Sequence, residues 1–580
     1  MTRRIIAAAL VALAACSNGD PAAPKNSQNG ACVAGSALSL DLPVGGVRLL
    51  SNPAQVGCAQ IAAATTATNY LFVAANANPV PDVFWNFTIQ QTSGFTPQRV
   101  GDLEDAVTQR ARSAAMTVAP PEWGYRDRME ARLRAEEHRL DLADGRAFWQ
   151  AREAQRARSA APRASANVVV ATAPVLGDTL SFRVPDTTSA CTKFFTISAV
   201  VKAVSEHAII VQDTAAPSAG FSTTEFTDIA NEFDRIIYAT DTLHFGSPGD
   251  LDLNGRVLIL YTPRVNSETA KGSKGFIGGF FFGGDLFPRR SCNQSNGAEI
   301  FYLLAPDPTG VFSDPRSVNL VRQLTRGTIA HEFQHMINLA VRLRGTGADD
   351  EADWLNEALS HFAEEVVGRA EDGYGDMQKL GIDEIADRAN NFANFNAFFV
   401  QNLLRLSTWM ERPDTSGATS KHADVDLSVR GAAWSLLRWT TDQFGSADVP
   451  SFTRRLVAGP DTGVSNLTAR AGMPFDTLVA GWLLANAVSD IGVPGLLPRY
   501  TYLSWNFRSA LPPINSGSYP LLITDLLPAV PVGTAVPSAS GDYFRVTSAP
   551  STPATVVRIT APGGGAITTA GARLYVVRLP

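Results

Sequence analysis

The sequence predicts an α+β protein in which a central domain of mixed strands and helices lies between a small β domain at each end. Three observations support this prediction. Apolar and polar residues alternate over short runs, separated by Gly and Pro, in residues 31–95 and again in residues 515–580. Short strand-like runs follow residue 168. After the sequence HEFQH, which ends at His335, apolar residues recur mainly at helical spacing.

Length, composition and charge limit the classes of protein that fit this chain. Its 580 residues, 45% of them hydrophobic, allow about three or four domains with separate cores. The net charge of −6 leaves no basic footprint for a nucleic acid. The glycine-rich run at residues 275–284 lacks the ending of a phosphate loop, so no nucleotide cofactor is expected. After the first 15 residues, no apolar run is long enough to span a membrane.

The first residues have the pattern of an export signal. Arg3 and Arg4 precede a short apolar run, which predicts a signal peptide at residues 1–15. The letters LAAC, ending at Cys16, resemble the bacterial lipobox, which implies cleavage before Cys16 and lipid on its thiol. We therefore expect an exported protein of the bacterial cell envelope, anchored in a membrane by lipid, with Ser17 favouring the outer membrane. The alternative is an ordinary signal peptide, an incidental Cys and a secreted protein.

Three further segments precede the central domain. Residues 16–30 are polar and turn-rich, as in a tether. Residues 31–95 are predicted to form the N-terminal β domain. Residues 102–165 are rich in Arg and Glu, which predicts a solvated helical linker or flexible connector, and such linkers are easily cleaved.

Four further cysteines are present, and an even number in an exported protein is consistent with two disulfides. Proximity along the chain suggests the pairs Cys32–Cys58 and Cys191–Cys292, but three connectivities remain open. The absence of a CxxC spacing argues against a cysteine metal site.

The central domain is predicted over residues 168–510, and its first half contains one calcium-like sequence. Residues 250–255 read DLDLNG, which resembles the start of a calcium loop. The twelfth position is Tyr261, where such a loop needs a Glu with two bound oxygens. The pattern therefore favours an Asn-Gly turn before a buried strand at residues 257–261, with a Ca²⁺ site as the alternative.

The strongest chemical signal is the sequence HEFQH at residues 331–335. On a helix, positions i and i+4 share one face, so His331 and His335 can reach a single metal ion. Glu332 can then act on a water bound to that metal. The apolar flanks predict a buried helix. The chain has only seven His, so a chance occurrence of two at this spacing is not expected.

A carboxylate follows in the sequence WLNEALSHFAEE, in which the NE pair ends at Glu357. Together with HEFQH, this sequence resembles the gluzincin metallopeptidases, and more closely the hyicolysin-type family of secreted bacterial metallopeptidases. The resemblance implies a Zn²⁺ ion held by His331, His335 and Glu357, with Glu332 as the general base. Asn338 and Val341 stand where the metzincin pattern needs Gly and His, so that alternative is excluded.

The resemblance also implies a sheet lobe and a helical lobe around a cleft, with protein or peptide substrates. It places the strand at residues 298–304 against extended substrate. The glycine-rich and aromatic sequence of residues 275–284 is interpreted as a loop or a strand edge near the cleft. The exopeptidase motif of this clan is incomplete at residues 297–300, where its Met and Asn are missing, which favours endopeptidase action.

Two roles stay open within this resemblance. His361 either orients Glu357, replaces it as third ligand, or lies at the surface. A donor for the oxyanion is not evident, and the candidates are His422, Tyr374 and Arg430.

Two other functions also remain as alternatives. The first is a cell-surface binding lipoprotein with an inactive or latent metallopeptidase fold. The second is another metal-dependent hydrolase that uses the same ligands.

Overall fold

The computed structural model describes residues 38–91, 123–160, 174–273, 275–345, 348–390, 392–422, 426–550 and 554–580. The predicted signal peptide, Cys16, the tether and Cys32 lie outside the described residues. The first elements are β1 (Leu38–Leu40), β2 (Val47–Leu50), α1 (Pro53–Gly57), β3 (Cys58–Ile61), β4 (Thr68–Asn76), β5 (Phe84–Gln91), α2 (Trp123–Glu137) and α3 (Leu142–Ala160).

The central elements come next. They are β6 (Thr179–Pro185), β7 (Phe194–Val204), β8 (Ala208–Asp213), α4 (Thr223–Glu232), α5 (Ala239–Phe245), β9 (Val257–Tyr261), α6 (Pro263–Ser267), β10 (Gly279–Phe281) and β11 (Ile300–Leu303). The helical region contains α7 (Val318–Arg344), α8 (Asp353–Glu371), α9 (Ile382–Ile385), α10 (Val400–Glu411), α11 (Leu427–Phe444), α12 (Val449–Ala458), α13 (Gly463–Ala471), α14 (Phe475–Val488) and α15 (Phe507–Ala510).

The chain ends in β12 (Ile523–Asp525), β13 (Val532–Pro537), β14 (Ser540–Ser548), β15 (Thr555–Thr560) and β16 (Ala572–Leu579). Two π-helical turns, Phe233–Tyr238 and Phe395–Phe399, lead into α5 and α10. Short 3₁₀ turns occur at Gly283–Leu286, Arg388–Asn390, Pro498–Tyr500 and Pro512–Ile514.

Strands within residues 38–91 and 523–579 form one β-sandwich. One sheet has the order β1-β3-β15-β5-β13 and the other the order β12-β14-β4-β16-β2. Strand β4 lies between β14 and β16, and β5 lies between β13 and β15, so each sheet contains strands from both ends. Their facing side chains, among them Phe72, Phe87 and Phe544, make a separate hydrophobic core. The prediction of two separate terminal β domains is therefore wrong.

A six-stranded mixed sheet lies in the central part, in the order β10-β11-β9-β8-β7-β6. Strands β8, β9 and β11 run parallel, and the remaining pairs are antiparallel. All five residues of β9, VLILY, are buried, as expected for an apolar strand in the parallel part of a covered sheet. Strand β10, from the glycine-rich run, forms one edge of this sheet.

The helices pack closely at two glycines beside the candidate site. A Cβ atom on Gly327 of α7 would lie 2.0 Å from the carbonyl oxygen of Ala397. A Cβ atom on Gly431 of α11 would lie 2.3 Å from the carbonyl carbon of Arg405 on α10. Any larger residue would force these segments apart, so both glycines permit the close packing of the helical region.

The Arg- and Glu-rich segment is helical and is only partly solvated. Met129 and Leu133 of α2 and Trp149 of α3 are almost fully buried against the central domain. The ring of Trp149 lies so close to Gly249 that a Cβ atom there would meet it at 2.5 Å. The prediction of a solvated linker is therefore wrong for the end of α2 and the start of α3, because Met129, Leu133 and Trp149 face the protein, whereas the end of α3 is mostly exposed.

Cys191 and Cys292 form a disulfide with a Cα–Cα distance of 4.6 Å. This bond joins the loop before β7 to the loop before β11. Cys58 is buried at the start of β3, and its predicted partner Cys32 lies outside the described residues, so that pairing stays a prediction. In the described part of the chain, none of the helices is both long and apolar enough to span a membrane.

One contact between α2 and α8 gives a pH-dependent prediction. His138 follows α2, and its Nε2 lies 3.1 Å from a carboxylate oxygen of Asp353. This hydrogen bond, with the charges of Asp353, Asp350 and Glu137, raises the pKa of His138 from 6.5 to about 9 despite partial burial. Because the pKa is raised by folding, the stabilisation is complete below pH 6.5 and is lost as the pH rises through about 9.

We therefore expect His138→Gln to lower the melting temperature at pH 6 and to have little effect at pH 9.5. Thermal unfolding of both proteins at several pH values measures this difference. A gap that stays constant across the range would contradict the protonated pairing.

Candidate metal centre

Helix α7 carries both candidate histidine ligands. Ser317 caps its N-terminus by accepting the N–H of Leu320 at 3.2 Å. His331 and His335 lie about one turn apart, and both are buried. Their Nε2 atoms are 3.1 Å apart, so both imidazoles point at the same position.

Helix α8 brings the candidate carboxylate to that position. An oxygen of Glu357 lies 3.5 Å from His331 Nε2, and its other oxygen lies 3.6 Å from His335 Nε2. Tetrahedral ligands at zinc distances have donor atoms separated by roughly 3.3 Å. The three separations of 3.1, 3.5 and 3.6 Å are close to that value. Two imidazoles and one carboxylate, the donor set of an open zinc site, therefore fit the metal.

The electrostatics of these side chains are dominated by burial. Burial lowers the pKa of His335 well below 6.5, so this ring is neutral, as a metal ligand must be. Burial also opposes a charge on His331, but Glu357 and Glu364 outweigh it and raise the pKa of His331 to about 9. The carboxylate of Glu357 keeps a lowered pKa despite burial, because Arg430 and the two histidines lie beside it.

Glu332, the candidate general base, lies on α7 between the two histidines and is buried. Its Oε2 atom accepts the backbone N–H of Phe281 at 2.8 Å. Phe281 is the last residue of β10, so the carboxylate lies between the histidine pair and the edge of the sheet. This hydrogen bond fixes the position of Glu332 relative to the strand.

The edge position of β10 corrects a prediction about substrate binding. The strand predicted to contact substrate, at residues 298–304, contains β11. Strand β11 pairs with β10 on one side and with β9 on the other, so neither of its edges is open. Strand β10, in the glycine-rich run, is an edge strand of this sheet, and it is the edge strand that contacts Glu332.

His361 lies one turn beyond Glu357 on α8 and is fully buried, so the surface position considered from the sequence is wrong. Its Nε2 is 3.9 Å from an oxygen of Glu357. His331, Glu357 and His361 therefore form a second group that could hold a metal ion. Burial and the charge of Arg405 lower the pKa of His361 to about 3, so its ring is neutral.

The histidine rings are held by partners that the sequence analysis did not identify. Glu364 accepts from Nδ1 of His331 at 2.7 Å and lies 3.0 Å from Nδ1 of His361. Asn356 places its side-chain oxygen 3.1 Å from Nδ1 of His335. A carboxylate or amide oxygen on Nδ1 leaves Nε2 free to bind a metal, because it fixes the tautomer. Positions 357, 361 and 364 share one helical face, and this spacing in the sequence could have identified Glu364.

The three candidate oxyanion donors have different positions. Arg430 is fully buried on α11, and its Nη1 lies 2.9 Å from an oxygen of Glu357. Tyr374 donates its hydroxyl to the carbonyl of Glu384 at 2.9 Å, and it follows the end of α8, about 21 Å along the helix axis from Glu357. His422 is exposed, whereas the cluster is buried. Only Arg430 of these three is therefore brought to the candidate site.

A cavity of about 350 Å³ opens beside the cluster. His331 and Glu364 form one part of its wall, and Gly278, in the segment leading into β10, forms another. Arg405 also lines it, with its Nη1 3.1 Å from Nδ1 of His361. The space therefore reaches His331 and the segment that leads into β10.

Helix α2 borders the same cluster on another side. Glu130 forms an ion pair with Arg430, the residue that contacts Glu357. Arg134 donates to the carbonyl of Phe281 at 3.3 Å. Burial disfavours the charge of Arg134, but the carboxylates of Glu137, Glu357 and Glu332 outweigh this effect and raise its pKa above the usual value.

Comparison with known proteins finds a similar sequence over part of the chain. No family model matches the sequence. The chain is 35% identical over 141 residues to the neutral metalloprotease ShpI of Staphylococcus hyicus. The match includes 24% of this chain and 30% of that protein. The similarity supports a metallopeptidase relationship, and this chain spans about a third of the relative that it matches.

Proposed function

We propose that this chain is a zinc-dependent endopeptidase. One observation carries the proposal. The donor atoms of His331, His335 and Glu357 are separated from one another by the distances expected for ligands of a single zinc ion, and Glu332 lies next to them. The similarity to a metalloprotease supports the same reaction class. Hydrolysis of a peptide bond requires an activated water, a base and a place for the substrate backbone, and each has a candidate at this site.

The residues of the chain have distinct roles in this proposal. Zinc, when bound, supplies Lewis acidity that favours loss of a proton from water and polarises a carbonyl. Glu332 accepts the proton of the attacking water and returns it to the leaving amine. Glu364 and Asn356 keep the histidine rings in the tautomer that presents Nε2. Arg430 positions Glu357 through its ion pair.

Internal cleavage is supported by the environment of the sheet edge. The main chain of an extended peptide can pair with β10 as an additional strand, which requires no free terminus of the substrate. The exopeptidase motif that would hold a free α-amine is incomplete at residues 297–300. The substrate proposed here is therefore an extended or unfolded protein segment.

Removal of the metal tests the proposal. We expect the chain from residue 17 onward to cleave unfolded casein at internal bonds when zinc is supplied. A strong zinc chelator should abolish the cleavage, and added zinc should restore it. Mass spectrometry of the products distinguishes internal cleavage from removal of terminal residues. Cleavage that persists after complete removal of the metal would contradict the proposal.

We also propose that the mature chain is anchored by lipid on Cys16. The support is the sequence LAAC after a short apolar run. In a bacterial host fed labelled palmitate, the wild-type chain should become labelled and fractionate with membranes. Cys16→Ser should lose the label and become soluble, while the same label in both proteins would contradict the anchor.

A further inference from the structure

A second cluster of carboxylates lies away from the candidate zinc site. Asp250 and Asp252 belong to the loop between α5 and β9, in the sequence DLDLNG. Glu299 reaches them from a distant part of the chain, immediately before β11. One oxygen from each of the three carboxylates lies within 4.8 Å of the others.

The burial and hydrogen bonding of Glu299 are an independent indication that this cluster binds a ligand. Its side chain is only 1% exposed. One oxygen accepts the N–H of Leu251 at 2.5 Å, whereas the buried Oε2 has no hydrogen-bond donor among the described residues. A buried carboxylate oxygen without a partner is costly, and a cation would satisfy it.

We propose that Asp250, Asp252 and Glu299 bind a calcium-class divalent cation. Calcium prefers oxygen ligands at 2.3–2.6 Å, so opposite ligands in its shell lie roughly 4.6–5.2 Å apart, which accommodates this cluster. In a continuous calcium loop the twelfth residue supplies the final carboxylate, and here that residue is Tyr261, buried in β9. Glu299 supplies the missing carboxylate from another segment, so the sequence pattern alone could not complete the site.

The position of the cluster indicates what the cation does. Asp252 lies just before β9 and Glu299 just before β11, and these two strands are parallel neighbours. A bound cation therefore joins the starts of two central strands in the sheet whose edge contacts Glu332. Burial and the neighbouring carboxylates raise the pKa of Glu299 to about 8, which agrees with mutual repulsion when no cation is bound.

Calcium titration of the full chain, freed of metals and reloaded with zinc, tests this site. We expect calcium to raise the melting temperature by several degrees and to bind with a stoichiometry of one in calorimetry. Glu299→Gln, which keeps the size and removes the charge, should lose both effects. Asp228→Asn, at an exposed acid of α4, should respond as the wild type does.

Each outcome of this titration decides the proposal. A wild-type chain that neither binds calcium nor gains stability would overturn it. The proposal would also be overturned if calcium raised the melting temperature of Glu299→Gln as much as that of the wild type. If Glu299→Gln does not fold, Asp252→Asn replaces it, with the same expected loss. Tighter binding of magnesium than of calcium would contradict the assigned class of cation.

A different set of contacts supports a second inference, which rests on the proposed function. Side chains of α2 contact the backbone beside the edge strand β10. Arg134 donates to the carbonyl of Phe281, and Glu137 accepts the N–H of Gly283 at 2.5 Å. Arg134 and Glu137 also form an ion pair with each other. These backbone groups are those that an extended substrate would need at this edge.

The same helix reaches the ligand side of the cleft through Glu130 and Arg430. Thus α2 extends from Arg430, which contacts Glu357, to Phe281 at the end of β10. The charged side chains of α2 that make these contacts are buried. From this geometry we infer that α2 occupies part of the substrate cleft and lowers the activity of the chain until the helix is displaced. Substrate and α2 then compete for the same backbone groups at the end of β10 and just after it.

A double variant tests this competition in the full chain. Arg134→Ala together with Glu137→Ala removes both contacts without leaving one buried charge unpaired. We expect at least a tenfold rise in kcat/KM for a peptide substrate. The matched control is Glu136→Ala with Arg139→Ala, an ion pair on the exposed side of the same helix end. The control should behave as the wild type does.

Hydrogen exchange separates this inference from the proposed function. The amide of Gly283, whose N–H Glu137 accepts, should exchange faster in the double variant than in the wild type and the control. Faster exchange without peptide cleavage by any form would support the covering helix and contradict the endopeptidase. Equal exchange rates, or equal kcat/KM in an active wild type and the double variant, would overturn the role of α2.

Discussion

Glu332→Gln is expected to lower kcat for peptide hydrolysis about 10²- to 10⁴-fold, the usual contribution of a positioned general base. The amide side chain has nearly the same shape and can still accept the N–H of Phe281 that Glu332 accepts at 2.8 Å. It cannot accept a proton from the attacking water at neutral pH. The zinc content should stay at the wild-type value, because Glu332 is not among the three candidate ligands.

The measurement is kcat for an internally quenched peptide, combined with zinc analysis of the same samples. Glu206→Gln is a suitable control, because this side chain is 82% exposed and lies between β7 and β8. The control should have wild-type kcat. A Glu332→Gln protein that retained zinc and cleaved at the wild-type rate would show that another group is the base.

The core of the candidate site could be predicted because it depends on local geometry. The spacing of His331 and His335 is one helical turn, and a helix forces such residues onto one face whatever the rest of the protein does. Glu357 required the family resemblance, because nothing in the spacing of α8 shows where that helix crosses α7. The structure places these three side chains together.

The charged surroundings of the site could not be predicted in the same way. Arg405 and Arg134 come from α10 and α2, which are far from α7 in the sequence. The composition of α2 predicts a solvated helix, because Arg and Glu are usually at the surface. Burial is decided by the opposing carboxylates, among them Glu357 and Glu332, and these contacts have no local signal.

The architecture of the two ends shows a related limit. Alternation of apolar and polar residues predicts strands well, but it does not identify the neighbouring strand. Tyr70 of β4 lies opposite Val546 of β14 and Arg578 of β16. The whole central part of the chain separates these paired strands in the sequence, so no local pattern indicates that they are neighbours. For the same reason, the short apolar run that forms β11 could not be recognised as an interior strand.

His335→Gln is expected to abolish high-affinity zinc binding, whereas His361→Gln should weaken it about 10- to 100-fold, the usual effect of losing a partner of a ligand. Both residues are buried near His331 and Glu357, so the structure offers two ligand sets. The donor atoms favour His335. Its Nε2 lies 3.1 Å from that of His331 and 3.6 Å from Glu357, whereas His361 Nε2 lies 3.9 Å from Glu357.

Competition with a chromogenic chelator measures the zinc affinity of each variant, and circular dichroism checks that each is folded. Glu357→Gln serves as the reference, because both ligand sets contain Glu357 and both predict loss of the metal. Retained affinity in His335→Gln with complete loss in His361→Gln would establish the set of His331, Glu357 and His361. The sequence HEFQH would then supply only one ligand, His331. Glu332 would have to act on a water bound to a metal whose other protein ligands come from α8.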